Sequence, residues 1–202
     1  MTLAIILSGA ILVIDSRLRS ALGAYVIFTL SILWLAHPRG HEASIVGIAL
    51  FTMLAFVKVI VGPAAVLWLR MKYRVPGDLS PSFSLGVRVG VVVVALFVAQ
   101  FVSRAPAFAG VGAGTVVFYA IFASICVVLL HRNLLAHVIG LLGLGSAITL
   151  AAAVFAPALP GAIELADTFD AVFATFVAIG VARAVIHHDP RLDIRSLRGL
   201  RG

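Results

Sequence analysis

The sequence predicts an all-α membrane protein, a polytopic bundle of about seven transmembrane helices. Three observations predict it. Of 202 residues, 62% are hydrophobic and 11% charged, and the mean hydropathy is +1.18; a water-soluble domain carries about 25% charged residues. The apolar residues fall in successive runs near bilayer length, separated by short charged stretches, as spanning helices require. The basic residues are sorted onto alternate ends of those runs, as the retention of positive charge in cytoplasmic loops demands.

Taken in order, the predicted spans are Thr2 to Ile14, Leu22 to Ala36, Ile45 to Leu69, Leu85 to Val102, Val111 to Leu130, Leu134 to Phe155 and Thr168 to Ile186. The first resembles a signal-peptide core. However, no basic residue precedes it, and Asp15, Arg17 and Arg19 follow it, so it reads as a retained helix. The first two spans are short against a hydrocarbon thickness of roughly 30 Å, so they need flanking residues, a thinned bilayer or a shielding partner. The single transmembrane domain is expected over 1–186, with 187–202 a cytoplasmic tail.

Of the 15 Lys and Arg residues, twelve group on one predicted side: Arg17, Arg19, Arg70, Lys72, Arg74, Arg88, Arg132, Arg183, Arg191, Arg195, Arg198 and Arg201. Only Arg39 and Arg104 fall on the other, and Lys58 is mid-span. This split supports an odd helix count, with the N-terminus outside and the C-terminus in the cytoplasm.

The net charge of +7 is accounted for by that orientation, so no nucleic-acid partner is expected. Cys126 is the one cysteine and lies within an apolar run, which excludes an internal disulfide and a cysteine-based metal site. Gly86 with Gly90, and Gly143 with Ala147 and Ala151, are small-residue stripes suited to close helix contact. No internal repeat is present, so an inverted-repeat transporter has no support in sequence symmetry.

Several residues could carry chemistry. Lys58 lies mid-span in Phe56-Val57-Lys58-Val59-Ile60, too deep to reach an interface, and burying that charge alone costs several kcal/mol. It reads as a proton-relay or charge-coupling site, the alternative being a lysine paired purely for structure. Pro63 lies five residues later, after Gly62. It removes a backbone donor and clashes with the Val59 carbonyl, which predicts a kink and a freed carbonyl as a water site.

Glu164, Asp167 and Asp170 are spaced three apart where the last span begins, so one helix face can present all three. Asp167 also suits an N-cap, with Asp170 in a favourable first turn; Glu164 and Asp170 read alternatively as part of a proton path or subunit contact. His137 follows His131 and Arg132 at the cytoplasmic mouth of the sixth span and could pass protons near neutral pH or serve as hydrogen-bonded structure. No nucleophile-plus-base pair, phosphate loop or metal-ligand cluster appears, so no catalysis and no bound cofactor are expected of this chain.

One family resemblance runs along nearly the whole chain. It is carried by Ser16-Arg17-Leu18-Arg19-Ser20, Val57-Lys58-Val59-Ile60-Val61-Gly62-Pro63, Arg132-Asn133-Leu134-Leu135, Val138-Ile139-Gly140-Leu141-Leu142, Glu164-Leu165, Phe169-Asp170-Ala171-Val172-Phe173-Ala174, Leu192-Asp193-Ile194 and Leu197-Arg198-Gly199-Leu200. In these segments the sequence resembles the hydrogenase-4 component E family. The resemblance implies a noncatalytic membrane-arm subunit of a complex I-like, energy-converting hydrogenase of the formate hydrogenlyase type, in a prokaryotic cytoplasmic membrane. Its partners would be antiporter-like membrane subunits and a peripheral redox module holding the nickel-iron site and iron-sulfur clusters. Residues 111–186 would be similar to the small three-helix subunit of complex I and cation/proton antiporters. The family's Glu-Asn pair in the sixth helix is Gly145-Ser146 here, and Arg183 stands near the place of a second membrane glutamate. Arg132, Asp167 and Arg183 then become contacts to subunits or lipid. The alternative is a subunit of a cation/proton antiporter or an inorganic-carbon uptake complex.

Overall fold

The computed structural model describes residues 1–37, 45–73, 77–108 and 111–155, with 169, 172, 176, 177, 179 and 180. The described residues form six continuous helices and no strands: α1 (Thr2–Ile14), α2 (Leu18–Ala36), α3, α4 (Leu85–Ser103), α5 (Gly114–Leu130) and α6 (Leu134–Phe155). Helix α3 runs through Ile45–Phe56, a π-helical stretch Val57–Val61, and Gly62–Tyr73. Four stretches are long and apolar enough to cross a membrane: Leu18–Ala36, Gly47–Lys72, Leu85–Ser103 and Leu134–Phe155; α1 and α5 are shorter. Of the expected seventh span, the described residues are helical, and Val172 and Ile179, seven apart, pack on the core.

Helix α2 begins four residues before the predicted start at Leu22, because a tertiary contact starts it. The Leu18 N–H donates to the Gly77 carbonyl at 2.9 Å, and Leu18 is buried on the same face as Leu22, Tyr25, Phe28 and Ile32. At 19 residues it spans about 28 Å and is not a short helix. Helix α1, at 13 residues, covers only about 20 Å. In α5 the predicted first residues 111–113 are instead turn, closed by the Gly114 N–H to the Val111 carbonyl at 3.0 Å.

Helices α1, α2, α6 and α5 pack in that order around a closed ring, α5 returning to α1, and α4 lies outside against α5 and α1. The ring interior is filled by Ile5, Leu12, Tyr25, Phe28, Ile32, Tyr119, Ala120, Leu135, Ile139 and Ala147. Gly140 sets the approach of α6 to α5, since a Cβ there would stand 2.6 Å from Val128 Cγ2 and 3.1 Å from the Ser124 carbonyl oxygen. The Gly143 and Ala147 stripe faces this interior. The Gly86 and Gly90 pair does not mark a contact: Cβ atoms there would meet nothing among the described residues, and α4 turns this face outward.

At one end the segment 77–84 is stitched between two turns. On one side Leu79 N–H donates to the Ser16 carbonyl at 2.7 Å; on the other Ser82 N–H donates to the Leu130 carbonyl at 2.7 Å and Arg132 N–H to that of Ser80 at 3.2 Å. Isolated antiparallel bridges join Arg17 to Asp78 and Pro81 to His131. Ser80 takes φ 47°, and the Asp78 side chain supports this left-handed turn by accepting from the Ser80 N–H at 3.1 Å. These bonds place Arg17, Arg88 and Arg132 at a common end, with the Arg70 guanidinium lying over Gly77. Arg104 caps the far end of α4.

Candidate functional site

The site is centred on Lys58, which is fully buried although it lies in the middle of the apolar stretch Gly47–Lys72. Its Nζ donates to Thr149 Oγ1 on α6 at 3.0 Å. That hydroxyl in turn donates to the Gly145 carbonyl at 3.0 Å. A lysine head in an apolar interior needs such acceptors, since an unsatisfied ammonium there costs several kcal/mol.

The backbone around Lys58 is set by Pro63. In the π-helical stretch the Gly62 N–H reaches the Val57 carbonyl, five residues back. The next donor in that register would be residue 63, aimed at the Lys58 carbonyl, but proline has no N–H. A buried carbonyl without a donor is costly, and here the Tyr25 hydroxyl supplies one, donating to the Lys58 carbonyl at 3.1 Å. A kink was expected beside Lys58; what the structure shows there is a π segment, Val57–Val61. The carbonyl that needs an outside donor in this register is that of Lys58, and a tyrosine from α2 serves it where a water was expected. Gly62 lets α3 press on α6, since a Cβ there would stand 3.0 Å from Leu142 Cδ1.

The seam where α2, α3 and α6 meet carries further buried hydroxyls. Thr29 and Ser146 are both fully buried, their oxygens 3.5 Å apart, and Ser146 also donates to the Leu142 carbonyl at 3.1 Å. The seam thus lines up Tyr25, Thr29, Ser146 and Thr149, neutral groups each able to donate and accept. Gly145 and Ser146 lie within one turn of Thr149, and the Gly145 carbonyl accepts from the hydroxyl that Lys58 meets.

The other sequence candidates are not gathered at this site. His137 is at the opposite end of α6, its Nδ1 3.0 Å from the Asn133 carbonyl oxygen; twelve residues separate it from Thr149, about 18 Å along the helix. Arg132 is a tie within the chain: its Nε donates to Ser82 Oγ at 3.1 Å and its Nη2 to the Ser82 carbonyl at 3.4 Å. Glu164, Asp167, Asp170 and Arg183 lie outside the described residues, as does the tail over 187–202. Among the described residues, no three His, Cys, Asp or Glu side chains are grouped as a metal would need.

Sequence reasoning missed Thr149 and Tyr25. Thr149 is 91 positions from Lys58 and Tyr25 is 33, and neither spacing leaves a local pattern. The one available signal was that both carry a hydroxyl in an otherwise apolar span, where such groups bond across helices. In comparisons with protein-family models, curated proteins and solved structures, no match to this chain is found.

Proposed function

We propose that this chain is a noncatalytic, seven-span membrane-arm subunit of a complex I-like, energy-converting hydrogenase assembly, with its basic end and tail in the cytoplasm, supporting proton or sodium translocation and subunit connection. The observation that carries an ion-coupling role is the fully buried Lys58, held by Thr149 at a π-helical irregularity in mid-span. Ionisable groups at membrane depth are costly and mark ion or proton pathways, and π segments recur at functional positions in helices. The hydrogenase setting is supported by the family resemblance of the sequence. In this reading Lys58 is the central charge, Glu164 and Asp170 stand at the outer end of a path or subunit seam, and His137 and Arg132 stand at the cytoplasmic end. Nickel, iron and iron-sulfur chemistry belongs to partner subunits.

A second reading, a subunit of a cation/proton antiporter or inorganic-carbon uptake complex, is favoured by Gly145-Ser146 in place of the family's Glu-Asn. One purification separates the two. The tagged chain is isolated from its native membrane in mild detergent, co-purifying proteins are identified by mass spectrometry, and nickel and iron are assayed. Metal-bearing subunits beside antiporter-like proteins support the hydrogenase reading; antiporter-like proteins without metal support the second; a solitary chain overturns both. Lys58→Met in the intact assembly should lower coupled ion movement while leaving composition unchanged, and loss of assembly instead would make Lys58 structural.

A further inference from the structure

At the basic end of the bundle, Arg88 lies in the first turns of α4 with only 7% of its surface exposed. Side chains on a helix lean back toward its N-terminus, and this one carries its guanidinium to the end of α1, where Nη1 donates to the Ile14 carbonyl. That bond serves one of the carbonyls that a helix leaves open at its C-terminus. The other guanidinium nitrogens are not served: Nε is buried without a partner, and Nη2 makes no hydrogen bond among the described residues. Arginine does not shed its proton, so a buried guanidinium without a counter-charge is costly.

The described part of the chain supplies no such counter-charge. Its acidic residues are Asp15 and Asp78, and both carboxylates are held in turns, Asp15 accepting from the Arg17 N–H at 2.8 Å and Asp78 from the Ser80 N–H at 3.1 Å. Against these two stand Arg17, Arg19, Arg70, Arg88 and Arg132. The start of α4 adds donors of its own. Ser84, its N-cap, makes no side-chain cap bond, and the Arg88 N–H is the one that reaches back to the Ser84 carbonyl, at 3.2 Å. The N–H groups of Leu85, Gly86 and Val87 precede that bond, at the positive end of the helix dipole, and these residues are exposed.

We propose that this end of α4 binds the phosphate of an anionic phospholipid, which supplies the counter-charge to Arg88 and accepts from the first-turn amides. A lipid, not a free anion, is the occupant because the donors stand at the mouth of an apolar span whose flank, Phe83, Leu85 and Val89, is exposed for acyl chains. Basic pockets between membrane helices take such headgroups. The site is separate from Lys58 and goes beyond the proposed ion coupling.

The test uses the full chain, freed of lipid in a mild neutral detergent, with phosphatidylglycerol, phosphatidylcholine and inorganic phosphate as probes; native mass spectrometry reads bound lipid and its affinity. One phosphatidylglycerol is expected to bind in preference to phosphatidylcholine and to resist displacement by inorganic phosphate. A cation that attracts anionic lipid only diffusely contributes about fivefold in affinity. Arg19→Gln, at an exposed position in the first turn of α2, should cost no more than that, whereas Arg88→Gln should cost about tenfold or more, as the loss of a charge-assisted bond does. Gly86→Glu enters open space at a helix end that favours acidic side chains. It places a carboxylate in the first turn, so it should fold and exclude the lipid even where Arg88→Gln does not fold. Equal binding of the two lipids, displacement by free phosphate, an Arg88→Gln loss no larger than that of Arg19→Gln, or undiminished binding in Gly86→Glu overturns the proposal. So does a protein subunit that co-purifies from the native membrane in place of phosphatidylglycerol and is lost on Arg88→Gln, which would assign the guanidinium to a partner's carboxylate.

Discussion

The Lys58–Thr149 bond can be measured by a double-mutant cycle of Lys58→Met and Thr149→Val. Valine keeps the shape of threonine and removes Oγ1, and with it both the 3.0 Å bond from Lys58 Nζ and the 3.0 Å bond to the Gly145 carbonyl. The second bond lies within α6 and is present whether residue 58 is lysine or methionine, so it cancels in the cycle. What remains is the interhelical term. Hydrogen bonds between membrane helices average about 0.6 kcal/mol and reach about 1.7, and charge-assisted ones in proteins run about 1.5–3; burial of both partners puts the expected coupling at about 1–2 kcal/mol. That changes the unfolding equilibrium by roughly five- to thirtyfold. The four proteins are compared by reversible unfolding in mixed micelles. Thr52 provides the control, because its exposed hydroxyl bonds, among the described residues, the Ile48 carbonyl of its own helix at 2.7 Å, so Lys58→Met with Thr52→Val should couple by less than about 0.3 kcal/mol. A Lys58–Thr149 coupling as small as the control's would refute the bond as the anchor of the lysine.

Four further outcomes are expected. Tyr25→Phe strips the outside donor from the Lys58 carbonyl and should cost about 1–2 kcal/mol in the same unfolding assay; a cost near zero would mean that the π register relaxes to serve that carbonyl. Gly140→Ala drives a Cβ to 2.6 Å from Val128 Cγ2 and 3.1 Å from the Ser124 carbonyl oxygen, so it should destabilise by about 1–3 kcal/mol. Gly90→Ala, in open space, should stay within about 0.5 kcal/mol. In a Cys126→Ala background, a membrane-impermeant maleimide should label Arg104→Cys from outside intact cells and the exposed Phe83→Cys only in inverted vesicles; the reverse pattern would invert the proposed orientation.

The helical class was legible in the sequence, because it follows from local composition: a backbone in lipid must satisfy its own hydrogen bonds within each span. The buried lysine was legible for the same reason, since the cost of its charge arises within a few residues of itself; at Pro63 a kink was expected and the structure shows a π segment. Tertiary structure decided what answers those costs. Thr149 accepts from Lys58 and Tyr25 donates to its carbonyl across helices, and only the close approach of α3 to α6 at Gly62 and of α6 to α5 at Gly140 brings such partners within reach. Leu18 starts α2 early for a like reason, its amide held by Gly77 from 59 positions away. The two small-residue stripes looked alike in sequence, yet Gly143 and Ala147 face the ring interior while Gly86 and Gly90 do not. Spacing shows that a face is small; which neighbour it meets depends on how all the helices pack together.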